Sequence, residues 1–274
     1  MKLDVSVIMA VHNESPGLLK AALDSVMNQT FRNFEIVICD DASCSATSQF
    51  LDEYVKTADK TVNITIIRNK SNMGAAKARN CALQLAKGEY IAIMDADDIS
   101  DKKRLEIQVN ALDKNCDLAF VGTKGEMFKK QPGDLAKQYW YVPKPQNRDF
   151  LFTLPFVHAS IMFRREVLES VGGYREIKRV KRSEDYDLLM RLYEKGYTGE
   201  NISEILYWIR TDANTFKRRK YRYRFNEAAV KLEGFAKLDL LPEGLLYAVK
   251  PMIVGLIPSR LLSRLKDKYY RNKQ

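Results

Sequence analysis

The sequence predicts an α/β fold, a Rossmann-like parallel sheet flanked by helices, followed by a helical, basic C-terminal appendage. Three observations carry that expectation. Short apolar runs alternate with stretches of helical period, the pattern of strand–helix–strand units in a parallel sheet. Three of those runs end in polar residues, at His12-Asn13, Asp40-Asp41 and Asp95 to Asp98. The charge, finally, is segregated: of a net +10 over 274 residues, residues 217–274 hold 15 Lys+Arg against 5 Asp+Glu, which leaves the first 216 residues neutral. A basic end on a neutral body calls for an anionic membrane surface or nucleic acid as its partner. A chain with 46% hydrophobic and 29% charged residues is not disordered, and its length buries a large core.

Residues 5–10 are the first strand. Ser15 is placed to cap the next helix, with Pro16 in its first turn and Leu18, Leu19, Ala22, Leu23, Val26 and Met27 as its apolar stripe. Residues 35–39 form a second strand, and a helix runs from after Ser43 to about Lys56. A third strand covers 62–67 and an Ala-rich helix 75–86. Lys87-Gly88 stops that helix, and Tyr90 to Met94 reads as a strand buried on both faces. A helix over 102–112, with Leu105, Val109 and Leu112 inward, precedes a short strand over 117–122. Residues 123–148 have no clear period, and a long irregular segment is usually functional or mobile.

Residues 156–163 are strand-like, and 165–171 form a helix closed by a left-handed cap at Gly172-Gly173. Ser183 can cap a helix whose first turn holds Glu184 and Asp185, where the dipole favours carboxylates and keeps them ionised. Residues 204–210 are a last strand. In the basic end, Pro251 and Pro258 break an apolar run into short pieces, and Leu261, Leu262 and Leu265 recur at helical spacing among Arg260, Arg264, Lys266 and Lys268. Such a segment lies in a membrane interface more readily than it spans one; a packing appendage or dimer contact would also use it. No stretch is long enough to span a bilayer, and residues 1–4 show no cleavage-site pattern. The expected place is therefore the cytoplasm, peripheral on the inner face of the cytoplasmic membrane. Cys39, Cys44, Cys81 and Cys116 lack metal-ligand spacing and are expected as reduced, buried thiols. Tyrosines interleave the basic run 217–224, but no nucleic-acid fold signature accompanies them, so nucleic acid is not an expected partner.

In an open α/β sheet, ligands bind outside the carboxyl ends of the strands. Asp95, Asp97 and Asp98 crowded there repel one another unless a cation sits between them. A hard divalent cation held through carboxylates and substrate phosphates answers this; solvated acids capping the helix near Asp101 are the plainer alternative. Asp41 can accept hydrogen bonds from a base or ribose, or cap a helix with Ser43 as rival. The His12 ring can stack on a base or be an unliganded loop residue. No G-x-G-x-x-G follows the first strand, so the dinucleotide fingerprint is absent.

Four stretches, in order and spacing, carry a resemblance: residues 6–14, Val37-Ile38-Cys39-Asp40-Asp41-Ala42-Ser43, Asn72-Met73-Gly74 with Ala78-Arg79-Asn80, and Gly88 to Asp98. Together they resemble an inverting glycosyltransferase of family 2 with the GT-A nucleotide-sugar-binding fold. The resemblance implies a catalytic domain over 1–216, its nucleotide half about 1–115 and its acceptor half about 116–216, with 217–274 as an extension. It implies a nucleotide-sugar site lined by Ala10, His12, Asn13, Glu14, Asp41, Arg79, Asp95, Ala96 and Asp97. Ala10 would contribute backbone, His12 would stack on the base, Asp41 would bind uracil and Asp95 the ribose or phosphate region. Asp97 would ligate Mn²⁺ or Mg²⁺, with Asp95 and His158 as further metal candidates. Arg79 could equally be a surface charge, and His158 a satisfied buried histidine. Asp185 would be the general base, Glu184 its support or a contact of the donor sugar, and Arg210 a contact of the leaving group. Tyr139-Trp140-Tyr141 would stack on an acceptor sugar or simply pack.

The implied activity is transfer of a hexosyl or N-acetylhexosaminyl group from a UDP-sugar to an acceptor hydroxyl. The implied acceptor is a polyprenyl-diphosphate-linked sugar in O-antigen, capsule or exopolysaccharide assembly. A sugar-phosphate nucleotidyltransferase would need a Gly-rich, Arg-containing loop where Val11-His12-Asn13-Glu14 stands. A non-catalytic membrane- or RNA-binding module leaves the carboxylates unexplained.

Overall fold

The computed structural model describes residues 3–135, 137–211 and 221–255. In chain order the elements begin β1 (Val5–Val11), α1 (Pro16–Met27), β2 (Phe34–Asp40), α2 (Ser45–Thr57), β3 (Asn63–Arg68), α3 (Ala75–Leu85) and β4 (Tyr90–Asp95). They continue β5 (Ile99–Ser100), α4 (Arg104–Lys114), β6 (Phe120–Phe128), β7 (Lys137–Gln138), β8 (Met162–Arg164), α5 (Arg165–Ser170), α6 (Glu184–Glu194), β9 (Gly199–Arg210), α7 (Arg222–Lys237) and α8 (Gly244–Gly255).

One mixed sheet holds all nine strands in the order β3-β2-β1-β4-β8-β6-β9-β5, with β7 on β6. The first four pair in parallel, and β8 then runs antiparallel to both β4 and β6. Alternation along each central strand feeds two cores. Ile8, Val37, Ile91 and Ile93 face α3, α5, α6 and α7, while Val7, Met9, Ile38, Ala92 and Met94 face α1, α2 and α4. Gly88 enters β4 where a Cβ would stand 2.4 Å from the Ser6 nitrogen. Its own N–H donates to Ser6 Oγ at 2.7 Å, and Ser6 Oγ donates to the buried Glu35 carboxylate at 2.8 Å. This polar clasp sets the register at the end of the sheet opposite the rim of carboxylates.

Several expectations fail for identifiable reasons. The strand expected over 117–122 runs from Phe120 to Phe128, through part of the segment that lacks a period, because β9 pairs with it residue by residue across two register shifts. The strand expected over 156–163 is a 3₁₀ turn at His158–Ser160 followed by β8, since Ser160 Oγ bonds back to the Val157 carbonyl at 2.7 Å. Pro251 does not break the apolar run: α8 passes through it. Cys44 and Cys116 are exposed, against the expectation of buried thiols. The run 217–220, the loop residues 212–214 and the stripe at 261–265 lie outside the described residues.

The start of the basic end is not a separate body. Val230, Phe235, Leu238 and Ala248 belong to the same core as α6, and a Cβ on Gly234 would meet Met190 Sδ at 2.3 Å. Helix α8 packs by its small residues, Gly244 and Ala248, and turns Leu245, Leu246 and Ile253 outward, Leu246 at 77% exposure.

Candidate functional site

Three loops at the carboxyl ends of β1, β2 and β4 form the rim. The Asp41 carboxylate, just past β2 and 2% exposed, is held by three donors. Asn69 Nδ2 and the Met73 N–H donate to Oδ1 at 2.7 and 2.9 Å, and the Gly74 N–H donates to Oδ2 at 2.7 Å. Asp41 therefore ties the loop before α3 to the rim, and a carboxylate with about four acceptor positions keeps one on the Oδ2 side. It is Asp40, not Asp41, that acts on the start of α2, accepting from the Ser43 N–H and Ser48 Oγ.

His12 lies exposed over this loop, with Nδ1 2.8 Å from the Asp41 carbonyl oxygen and Nε2 3.0 Å from Asn13 Nδ2. Asn13, at φ 55°, accepts the Cys44 N–H at 2.7 Å through Oδ1 and so joins the loop after β1 to α2. Its side chain holds the His12 ring. Ala10 is paired in register with Asp95 and Cys39, which puts its backbone at the centre of the rim.

The loop after β4 has the opposite character. Asp95 Oδ1 accepts from Arg79 Nη2 at 2.8 Å. Arg79 is 8% exposed, so it is no surface charge. Burial works against its protonated form, and the Asp95 carboxylate outweighs that and holds its pKa above the ordinary value. Ala96 is buried behind the loop. The Asp97 carboxyl is pushed up to about 6, first by burial and then by the charges of Asp95 and Glu14. Among the described residues, no other residue hydrogen-bonds that carboxylate. Asp98, 3% exposed, turns inward, where its Oδ1 accepts the Arg210 N–H at 2.8 Å and its carboxyl takes a bond from Tyr207; burial and then Asp95 and Asp97 raise it well above its usual value. Arg210 also donates through Nε to the Asp97 carbonyl at 2.8 Å.

Behind Asp98 lies Arg104, fully buried, its guanidinium 5.2 Å from the Tyr207 ring centre and donating to the Ile93 and Ala159 carbonyls. Burial lowers its pKa to about 10. Tyr207 in turn accepts the Asp95 N–H at 3.1 Å. Neither residue was legible as part of the site. Arg104 opens a helix as a charged residue that a reader assigns to solvent, and Tyr207 reaches the rim only because β9 crosses behind it. The one usable signal was that Arg104, Gln108 and Leu112 share a helical face, and all three are buried.

Arg79 connects the rim to α6. Its guanidinium sits 5.6 Å from the Tyr174 ring centre, and Tyr174 Oη lies 2.9 Å from His158 Nε2. His158 is thus a histidine satisfied by Tyr174; burial first, and then Arg79, lower its pKa to about 3 and keep it neutral. It does not join Asp95 and Asp97 in a ligand set, and among the described residues no group of three His, Cys, Asp or Glu side chains is arranged to hold a metal. That leaves the Asp97 carboxylate, which no other described residue hydrogen-bonds, and a single hard carboxylate fits a cation whose other positions phosphates and water would fill.

At the start of α6, Glu184 and Asp185 both lie within electrostatic reach of Arg79. The dipole was expected to keep these acids ionised. Burial is the larger effect at Asp185 and, with the Glu184 charge, pushes its pKa up to about 6. Ser183 stands at the cap position, but its buried hydroxyl has no hydrogen bond, so it does not cap by its side chain. The helix is anchored instead by Asp187, 2% exposed and paired with Arg175 and Arg191. Arg191 also donates to the Val171 and Gly173 carbonyls, fixing the two-glycine turn.

Of the expected acceptor aromatics, Trp140 is 48% exposed and meets Phe152 edge-on, while Tyr141 donates its hydroxyl to the Asn201 carbonyl.

The profile of Glycosyl transferase family 2 matches residues 6–172, and that of Glycosyl transferase family group 2 matches residues 90–263. EpsE of Bacillus subtilis (strain 168), which bears the name of a glycosyltransferase, is 34% identical over 270 residues, 98% of this chain and 95% of its own. The Escherichia coli protein WfaP is 27% identical over 238 residues, 82% of this chain and 84% of its own; it is named as a UDP-Glc:alpha-D-GlcNAc-diphosphoundecaprenol beta-1,3-glucosyltransferase. Among solved structures, Staphylococcus aureus TarS 1–349 in complex with UDP-GlcNAc superimposes with a TM-score of 0.71 at 19% identity, over 92% of this chain and 72% of that one. The mannosyltransferase PcManGT of Pyrobaculum calidifontis, in complex with GDP-Man and Mn²⁺, gives 0.64 at 21% identity over 99% and 80%.

Proposed function

The chain belongs to glycosyl transferase family 2, and on that premise we propose that it transfers a sugar from a UDP-sugar, with inversion, to a hydroxyl of a lipid-diphosphate-linked acceptor. The observation that supports this most is the pairing of two environments on one rim: a carboxylate at Asp41 built into a donor-rich loop, and one at Asp97 that burial and neighbouring acids hold above its ordinary pKa. His12 and the free side of Asp41 take the base. Arg79 fixes Asp95 toward the ribose. Asp185, with a pKa near the working range, accepts the proton of the attacking hydroxyl, and Glu184 holds that pKa up.

The reading includes a divalent cation, Mn²⁺ or Mg²⁺, with Asp97 as its direct ligand and Glu14 and Asp95 beside it. Such an ion supplies positive charge to the leaving diphosphate. The UDP-sugar donor and lipid-linked acceptor are supported by the names of WfaP and of the UDP-GlcNAc complex of TarS.

A peripheral position on the inner face of the cytoplasmic membrane is part of the same reading. It is supported by the basic end and by the outward Leu245, Leu246 and Ile253 of α8 beside exposed Lys250. No helix among the described residues is long and apolar enough to cross a membrane.

The test is an assay of UDP-sugars and GDP-sugars, with Mn²⁺, against a synthetic N-acetylglucosaminyl-diphosphate-alkyl acceptor. Product formed from a UDP-sugar, with inverted configuration and lost in Asp185→Asn, is expected. Transfer only from GDP-sugars, or retention of configuration, contradicts the proposal.

A further inference from the structure

The turn that leads into α6 carries a cluster of cations that the donor-site chemistry does not use. Lys178–Val180 is a 3₁₀ turn, Lys181 and Arg182 follow it exposed, and Arg182 holds φ 70°, a conformation unusual for a side chain of this size. Helix α7 lies against this turn. Asn226 Nδ2 donates to the carbonyls of both Lys178 and Lys181, at 3.1 and 3.0 Å, so the turn is fixed and not a free loop. Arg222 projects from the first turn of α7 and donates to the Tyr223 hydroxyl at 2.9 Å. That hydrogen bond, with Lys181 and Arg182 nearby, holds the Tyr223 phenol below its ordinary pKa.

Of the acids packed around this turn, Glu184 and Asp185 point to the α6 side of the site, and three others are held in ion pairs. Glu233 binds Arg175 and Arg179, Glu227 binds Arg224 and Lys231, and Asp187 binds Arg175 and Arg191. Among the described residues, Lys181, Arg182 and Arg222 have no ion-pair partner. Arg222 and Asn226 are one turn apart on α7, so the bond from Asn226 to the Lys181 carbonyl brings the turn beside Arg222, and three cations without an ion-pair partner around the Tyr223 hydroxyl suit a multiply charged anion.

The position is specific. Arg182 is three residues before Asp185, on the turn that leads directly into the helix carrying the proposed base. We propose that Lys181, Arg182 and Arg222, with the Tyr223 hydroxyl, form the subsite for the diphosphate that links the acceptor sugar to its lipid. The subsite is separate from the donor diphosphate site at Asp97 and Arg210. This rests on the transferase reading and names the part of the acceptor that the chain grips. A diphosphate held on the turn into α6 orients the sugar it carries, so its anomeric side faces the cations and a hydroxyl faces the base.

The test uses the full chain and farnesyl diphosphate, farnesyl monophosphate and farnesol as probes, titrated with saturating UDP present. The variant carries Lys181→Gln, Arg182→Gln and Arg222→Gln together. A charge-matched control carries Lys102→Gln, Lys103→Gln and Lys114→Gln, exposed residues at α4 on the other face of the sheet. The diphosphate is expected to bind wild type and control alike, more tightly than monophosphate or farnesol. The triple variant loses at least tenfold in affinity for the diphosphate and keeps UDP binding. Unchanged diphosphate binding in the triple variant overturns the proposal, as does competition between the diphosphate and UDP. Loss of binding to phosphatidylglycerol vesicles with farnesyl diphosphate binding intact also overturns it, because the patch then serves lipid headgroups. A chain that binds UDP and not farnesyl diphosphate sinks this inference alone; one that binds neither sinks the transferase reading with it.

Discussion

The loop after β2 and the loop after β4 stand on the same rim, each offering a carboxylate, and they are built in opposite ways. Asp41 is surrounded by donors, and its charge is part of what holds the loop before α3 in place. Asp97 is buried with Asp95 and Glu14 beside it, which Arg210 offsets only in part, and its charge works against the fold. A satisfied buried carboxylate is a structural group with a spare acceptor position. A buried carboxylate raised by neighbouring acids is maintained at a cost in stability, which on the proposed reading is recovered when a cation and phosphates bind. On the proposed reading, the first loop is a base pocket preformed by hydrogen bonds and the second a charge site completed by its ligands.

The comparison extends to a third carboxylate, Asp185, which is raised by burial as Asp97 is and is the proposed base. Asp185→Asn removes the base without altering either loop, so the rate of transfer should fall by about 10²–10⁴ while calorimetric UDP binding stays at the wild-type value. A matched loss of UDP binding would mean that α6 belongs to the donor site.

The sharpest contrast is a matter of sign. In Asp41→Asn the new amide group sets an N–H against an N–H donor of the loop, Gly74 or Met73. Leaving a buried donor unsatisfied costs about 1–3 kcal/mol, and the melting temperature should drop. In Asp97→Asn it should rise. The Asp97 carboxyl is more easily protonated folded than unfolded, so its contribution is full below the unfolded value of 3.8 and is lost as pH rises through about 6. At pH 7.5 without metal the neutral amide avoids that loss, worth about 2–3 kcal/mol before solvent screening; a gain of about 2–6 °C is expected by scanning calorimetry. Melting shifts of the same sign would erase the distinction between the loops.

A smaller effect probes the acid pair on α6. The rate should rise with pH through about 6 as Asp185 ionises. Glu184→Gln removes a charge that raises Asp185, so the acid limb should move to lower pH, by only part of the elevation because burial, the larger cause, remains. A shift to higher pH would show that Glu184 does not act on Asp185 through its charge.

The nucleotide half was legible because its signals are local. β1 to β4 are apolar runs whose ends fall within a residue or two of where the sequence puts them, and Ser15 accepts the Leu18 N–H at 3.4 Å as a cap should. The second half depends on pairings between distant segments. Nothing between residues 123 and 128 announces a strand until β9 lies beside it, and His158 looks like part of a strand until Ser160 turns the chain back. The site divides the same way. Asp41, Asp95, Asp97 and Asp185 could be named from strand and helix ends. Arg79, Tyr174, Tyr207 and Arg104 could not be ranked, because what makes them part of the site is burial against residues from 16 to more than 100 positions away. The raised pKa of Asp185, about 6, was hidden for a related reason: a helix dipole is visible in sequence and desolvation is not, although a carboxyl at that value is still largely ionised at neutral pH.

On the proposed reading one loop is complete and the other waits for a cation. The most direct test is calorimetric titration of UDP into wild type and Asp97→Asn, each with and without Mn²⁺. The account predicts that Mn²⁺ strengthens UDP binding to wild type by at least tenfold, and that Asp97→Asn retains the metal-free affinity while losing the increment. Equal affinities for wild type with and without Mn²⁺, or an increment that survives in Asp97→Asn, would contradict it.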